Sequence, residues 1–159
     1  MTIYAGCRGV DPKASGDSEE AVHRVLDEWH RAAAEADIQR YFDHFAGDSA
    51  VFMGTDATER WIAEEFREWA RPYFERGEAW NFTPVDRHVY ISETGVTAWF
   101  DESLDTPNLG PARGSGVLLK RSGSWKIAHY NLSIPIPNSI VYDVVKQIGE
   151  AMEDTTAGE

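Results

Sequence analysis

At 159 residues the chain has the length of one domain, enough to bury one sizeable core and too little for two. Hydrophobic residues make up 42% and aromatics 12%, with six Trp, six Tyr and seven Phe, which excludes disorder outside the ends and predicts an aromatic-rich core. Fifteen Lys and Arg against 27 Asp and Glu leave a formal charge of -12, which repels phosphate backbones and anionic lipid, so neither nucleic acid nor membrane is an expected partner.

Residues 1 to 16 carry Gly6, Gly9, Pro12 and Gly16 without a hydrophobic period and read as a flexible arm. The single cysteine, Cys7, has no intramolecular partner, and a cytoplasmic location is the default. Tyr4-Ala5-Gly6-Cys7 is similar to a lipoprotein cleavage box, yet no apolar run precedes it, and no stretch is long enough to span a bilayer. Asp17 and Glu20 have capping-box spacing, and Val22, Val25, Leu26, Trp29, Ala33 and Ala36 then recur at helical intervals. Asp37 caps a short second helix whose stripe is Ile38, Tyr41, Phe42 and Phe45, ended by Gly47.

Ala50 to Gly54 is a short apolar strand. Thr55-Asp56 and Glu59 should close a turn and cap a third helix starting near Thr58, with Ile62, Phe66, Trp69, Ala70 and Tyr73 on one face and Pro72 kinking or ending it. From Trp80 the period changes to two. Val85, Arg87, Val89 and Ile91 alternate with polar residues, Glu93-Thr94-Gly95 turns the chain, and residues 97 to 104 form the return strand. A second hairpin spans 112 to 121 and 125 to 134 around Ser122-Gly123-Ser124. Pro135 and Pro137 stop it, and Ile140, Val144, Val145, Ile148 and Met152 predict a C-terminal helix before a frayed tail, 153 to 159. The expectation is one domain, residues 17 to 152, of class α+β: helices segregated against an antiparallel sheet.

No βαβ unit with a glycine-rich turn, nucleophile elbow or phosphate-binding loop is present. The five histidines are scattered and there is no second cysteine, so neither a metal nor a cofactor is expected.

Three segments carry a resemblance: Gly54-Thr55-Asp56-Ala57-Thr58-Glu59-Arg60-Trp61, Arg113-Gly114-Ser115-Gly116-Val117, and the run from Trp125 to Asn138 with its His129-Tyr130-Asn131-Leu132-Ser133 centre. From about residue 18 to 140 the chain resembles the SnoaL-like, or nuclear-transport-factor-like, domain family. The resemblance implies a cone-shaped curved sheet wrapped around the N-terminal helices, a small-molecule pocket at its wide end, and commonly a homodimer packed sheet to sheet. It does not imply one activity, because such folds include isomerases, cyclases, dehydratases, epoxide hydrolases and non-enzymatic association domains.

A three-residue turn in the second hairpin sets Lys120 opposite Lys126, a pair that belongs outside. Parity then turns Val117, His129, Ser115, Asn131, Arg113 and Ser133 inward, and leaves Leu118, Ala128, Tyr130 and Leu132 as an apolar outer face suited to a homodimer. A three-residue turn in the first hairpin pairs Val89 with Trp99 and Arg87 with Asp101, all inward. The expected site is thus Asp101 and His129 as catalytic acid–base pair, with Arg87, Arg113 and Asn131 beside them and Met53, Trp61, Phe66, Tyr73 and Trp99 as walls against a hydrophobic small molecule. A carboxylate in an apolar cavity gains basicity, and Asn131 or Arg113 could stabilise an oxyanion, which fits a cofactor-independent isomerase, cyclase or hydro-lyase. The alternatives are an Asp101–Arg87 cross-strand ion pair, a core His129, and a dimeric binding or association domain without chemistry.

Overall fold

The structure, a computed structural model, describes residues 12–77 and 79–156; the expected arm up to residue 11, with Cys7, and the last three residues of the tail lie outside the described residues. Helix α1 (Pro12–Ala34) buries Val22, Leu26, Trp29 and Ala33 along the expected stripe. It starts five residues before the expected cap, so Asp17 lies within the helix. Asp37 caps α2 (Ile38–Asp43) as expected, accepting the Arg40 amide at 3.0 Å, and α2 buries Tyr41 and Phe42.

Strand β1 (Val51–Met53) leads into a strand absent from the sequence reading, β2 (Arg60–Ile62). Asp56 accepts from the Thr58 amide at 2.8 Å and hydroxyl at 2.6 Å, and Glu59 accepts the Asp56 amide at 3.1 Å, so these residues close a β-hairpin and cap no helix. Helix α3 (Ala63–Glu75) starts after it, with Glu65 reaching back to the Ile62 amide at 3.3 Å. Pro72 falls near the end of α3, where the loss of one backbone hydrogen bond is tolerated, and the helix continues to Glu75.

Four long strands follow, β3 (Thr83–Ile91), β4 (Thr97–Asp105), β5 (Ala112–Arg121) and β6 (Ser124–Ser133), then α4 (Val141–Thr156). The curved, open sheet has the order β2-β1-β6-β5-β4-β3, antiparallel throughout except for the parallel β1–β6 pair. Its inner face carries Phe52, Val89, Phe100, Leu104, Leu118, Ile127, Tyr130 and Leu132, which join the helix stripes in one core around Trp29, Tyr41 and Phe66. On α4, Tyr142, Val145 and Ile148 are exposed. No helix among the described residues is long and apolar enough to cross a membrane.

Both hairpin turns differ in length from the expectation, and each difference changes which residues face inward. In the first, the Ser92 amide donates to the Thr97 carbonyl at 2.9 Å, leaving a four-residue turn with Gly95 at φ +70. Val89 therefore pairs with Phe100 and Arg87 with Glu102, one residue off the expected register. Because side chains alternate, that slip turns Glu102 and Phe100 inward and puts Asp101 and Trp99 outside. In the second, Ser122 (φ 48) and Gly123 (φ 86) form a two-residue turn of the type that fits twisted hairpins, so Lys120 faces Trp125, its ammonium 5.5 Å from the ring centre. A bulge at Ala128 then restores the expected partners, Val117 with His129 and Ser115 with Asn131. Those partners lie outside, and Leu118, Tyr130 and Leu132, expected on an outer dimer face, are buried under the helices.

Candidate functional site

Glu102 sits at the centre of the inner face, between Arg87 on β3 and Gly114 on β5. A Cβ on Gly114 would come within 2.7 Å of Glu102 Oε1, so the space the carboxylate occupies exists because residue 114 has no side chain. Glu102 is fully buried and accepts from three donors: Arg87 Nε at 2.8 Å, His30 Nε2 at 2.8 Å and the Tyr130 hydroxyl at 3.1 Å. Arg87 Nη1 donates onward to Asp27 at 2.8 Å and to the His23 carbonyl at 3.3 Å, which ties the network to α1. Burial alone pushes the Glu102 carboxyl up, but His30 and Arg87 more than offset it and hold it below the usual glutamate range. Burial and the adjacent Glu102 charge push the Tyr130 phenol well above its usual range. An ionised carboxylate can only accept, so His30 carries its proton on Nε2.

Beside this network lies an aromatic cup. Phe52 of β1, Trp61 of β2, Phe66 and Trp69 of α3, and Leu132 of β6 line it, with Trp80 and Phe82 closing it from the segment before β3. It encloses about 90 Å³. Apolar cavities of about 150 Å³ hold a benzene ring, so a ligand of that size requires a wall to move. Phe66 organises the walls: Phe52 lies 4.0 Å away at 8°, Trp80 5.6 Å at 22°, Trp61 5.4 Å at 24° and Trp69 5.8 Å at 21°. Phe66 is therefore stacked directly on all four of these rings, which pack as one aromatic wall of the cup. Two contacts join it to the network, Phe82 to the His30 ring at 6.3 Å and Phe52 to the Tyr130 ring at 5.7 Å.

Of the ten expected site residues, Trp61 and Phe66 line the cup, and Tyr73 packs on its Trp69 wall at 5.0 Å, tilted by 33°. Arg87 is inward and buried, paired with Glu102 in place of Asp101. The remaining six lie on the outer face. Met53, Asn131 and Asp101 share one row across the sheet, with Asp101 56% exposed and 3.5 Å from His88. His129 and Trp99 share the next row, where Trp99 stacks on Tyr90 at 5.7 Å. Arg113 lines a separate groove with Ser103 and Asp105. The sequence reading missed Glu102, His30, Tyr130, Trp80 and Phe82. For Glu102 a signal existed: Ala98, Phe100 and Leu104, which share its parity, are more apolar than Thr97, Asp101 and Ser103.

Solved structures of other proteins share the architecture. A protein of unknown function from Pseudomonas putida KT2440, described as NTF2-like, superposes with a TM-score of 0.66 at 15% identity, over 78% of this chain and 91% of that one. A candidate dehydratase of the NTF2-like family from Streptomyces avermitilis gives 0.65 at 15% identity, over 77% and 99%. A candidate aromatic ring hydroxylase from Novosphingobium aromaticivorans gives 0.63 at 17% identity, over 76% and 91%. At these identities the likeness establishes the fold alone. No curated protein matches the chain. The profile of the SnoaL-like domain family matches residues 22–137, from the middle of α1 to the end of the Pro135-Ile136-Pro137 run. With nearly three quarters of its length inside that match, the chain belongs to the SnoaL-like domain family.

Proposed function

We propose that this domain binds a flat, hydrophobic small molecule in the aromatic cup. The observation that carries this reading is the lining of the cup, whose residues are all aromatic or aliphatic. Such walls reward a planar ring by stacking and by removing its surface from water. Trp69, 40% exposed, is the most exposed wall of the cup and the one whose displacement would enlarge it. One fold neighbour is described as a candidate aromatic ring hydroxylase. Titration with naphthalene, followed by tryptophan fluorescence and calorimetry, tests the reading. Leu132→Phe, which pushes a ring into the cup, should abolish binding. Naphthalene that binds this variant as well as the parent is not in the cup.

A catalytic reading has one specific support: His30 and Tyr130, both bonded to Glu102, are each in ring contact with a cup residue. With its proton on Nε2 facing Glu102, His30 has Nδ1 as the basic nitrogen, and cofactor-independent isomerisation, cyclisation or dehydration of a carbonyl ligand starts with such a base taking a C–H proton. Exchange of the α-protons of 2-indanone into deuterium oxide, followed by NMR, should be accelerated by the protein, lost in His30→Gln and kept in Asp101→Asn. Equal rates with and without protein remove this reading.

Two copies pair through the outer sheet face, where the stacked Tyr90 and Trp99, each 46% exposed, adjoin Val117 and Val51. A cytoplasmic location fits the lone cysteine. Light scattering should give twice the chain mass for the parent and the monomer mass for Trp99→Lys. A monomeric parent ends the pairing idea.

A further inference from the structure

Helix α3 carries a second feature that begins inside the cup and ends outside it. Phe66, Trp69, Tyr73 and Arg76 fall on one helical face at steps of three and four residues. Phe66 is buried, Trp69 is 40% exposed and Tyr73 37%, so the ring series climbs from the core to solvent. Each ring touches the next, Phe66 to Trp69 at 5.8 Å and Trp69 to Tyr73 at 5.0 Å, and the Arg76 guanidinium carbon lies 5.0 Å from the Tyr73 ring centre. Two 5.0 Å contacts in series keep the guanidinium within about 10 Å of the Trp69 ring, which is a wall of the cup.

Arg76 differs from the other arginines of this helix in how it is held. Arg71 is paired with Glu68, and Arg67 donates to Gln39 at 2.6 Å. Among the described residues Arg76 has no carboxylate partner; its guanidinium lies over the face of Tyr73, which leaves the N–H edge for another acceptor. In a chain of net charge -12 the long-range field opposes any anion, so an anionic ligand needs a local cation at the mouth of its site.

We infer that the ligand of the cup is an aromatic carboxylate: a ring held in the cup, a short chain lying along Trp69 and Tyr73, and a carboxylate on Arg76. This rests on the cup as a ring-binding site and adds its head group. Because the guanidinium lies no more than about 10 Å from the Trp69 ring, the linker is limited to a few bonds: the ring, three methylenes and a carboxylate with a 2.8 Å hydrogen bond already cover about that length. A carboxylate bound edge-on by a guanidinium stacked on an aromatic ring is the arrangement that Lys does not reproduce.

Calorimetric titration of the full chain with 4-phenylbutanoate, 4-phenylbutanamide and 4-phenylbutylamine tests this directly. The parent should bind the acid at least tenfold more tightly than the amide, and the amine more weakly still. Arg76→Gln should bring acid and amide together while leaving amide affinity within twofold. Arg76→Lys should recover only part of the preference, which separates a directed guanidinium contact from simple charge. Acid and amide binding equally in the parent, or an acid preference that survives Arg76→Gln, overturns the head-group assignment while the cup itself stands. Failure of all three probes to bind, with naphthalene also silent, overturns both.

Discussion

Replacing Glu102 with Gln isolates the charge at the centre of the inner face. The amide keeps the shape of the carboxylate but offers one accepting oxygen where two now serve Arg87, His30 and Tyr130. If that oxygen stays on Arg87, the amide nitrogen faces His30 Nε2, which must then give up its proton and accept. Arg87 is left buried with only the half-exposed Asp27 to balance it. Breaking a buried ion pair costs about 3–5 kcal/mol, and the retained hydrogen bonds place this variant near the lower end, roughly 3 kcal/mol. For a domain of this length that is a fall in Tm of about 6–12 °C. Urea unfolding followed by circular dichroism at pH 7 measures it. The sign with pH is determined: the folded Glu102 titrates below its unfolded value, so its contribution is complete above the ordinary glutamate value of 4.5 and is lost as pH falls through the lower folded value. The gap between parent and variant should therefore narrow steadily in acid. A gap under about 0.5 kcal/mol at pH 7, or one that stays constant down to pH 3, refutes the account of Glu102 as an ionised, paired carboxylate.

Gly114→Ala tests the space above that carboxylate: the new methyl would lie 2.7 Å from Glu102 Oε1, and the forced shift should cost about 2–3 kcal/mol, read as a lower urea midpoint with unchanged slope. Ser122→Asn should stabilise the β5–β6 hairpin by a few tenths of a kcal/mol, because Ser122 holds φ 48 in a two-residue turn that favours Asn before Gly; a lower Tm would contradict the turn assignment. Asp101→Asn should leave both stability and naphthalene binding unchanged within about 0.5 kcal/mol, since among the described residues the ion-pair partner of Asp101 is His88, on the exposed outer face; lost binding would return Asp101 to the site. In alkali, Tyr130 should stay protonated in the folded state above pH 10.0 while the unfolded chain ionises, so stability should drop as pH rises past that value and the 295 nm phenolate signal of Tyr130 should appear only with unfolding.

Local chemistry made much of the fold legible in the amino-acid order. The stripe Val22, Leu26, Trp29 and Ala33, the Asp37 cap and the alternation in four long strands each report a backbone period that neighbouring residues impose on one another, and they suffice for the α+β class and for every element except the three-residue β2. The SnoaL-like pieces around Gly54 and from Trp125 to Asn138 carried the rest of the architecture. Parity within a strand was legible too: Asp101 and Trp99 belong together, as do His129, Asn131 and Arg113, and all five do share one face. Which face that is could not be read from turn sequences alone. One extra residue between Ser92 and Thr97, one fewer between Arg121 and Ser124, and the compensating bulge at Ala128 decide it, and a slip of a single residue exchanges the two sides of a strand. Only the packed helices select among those registers. They cover Phe100, Leu118, Tyr130 and Leu132 because burying these side chains is worth several kcal/mol that Asp101, Asn131 and Arg113 cannot supply, and Glu102 goes inside with them because His30 on α1 and Arg87 on β3 meet it there.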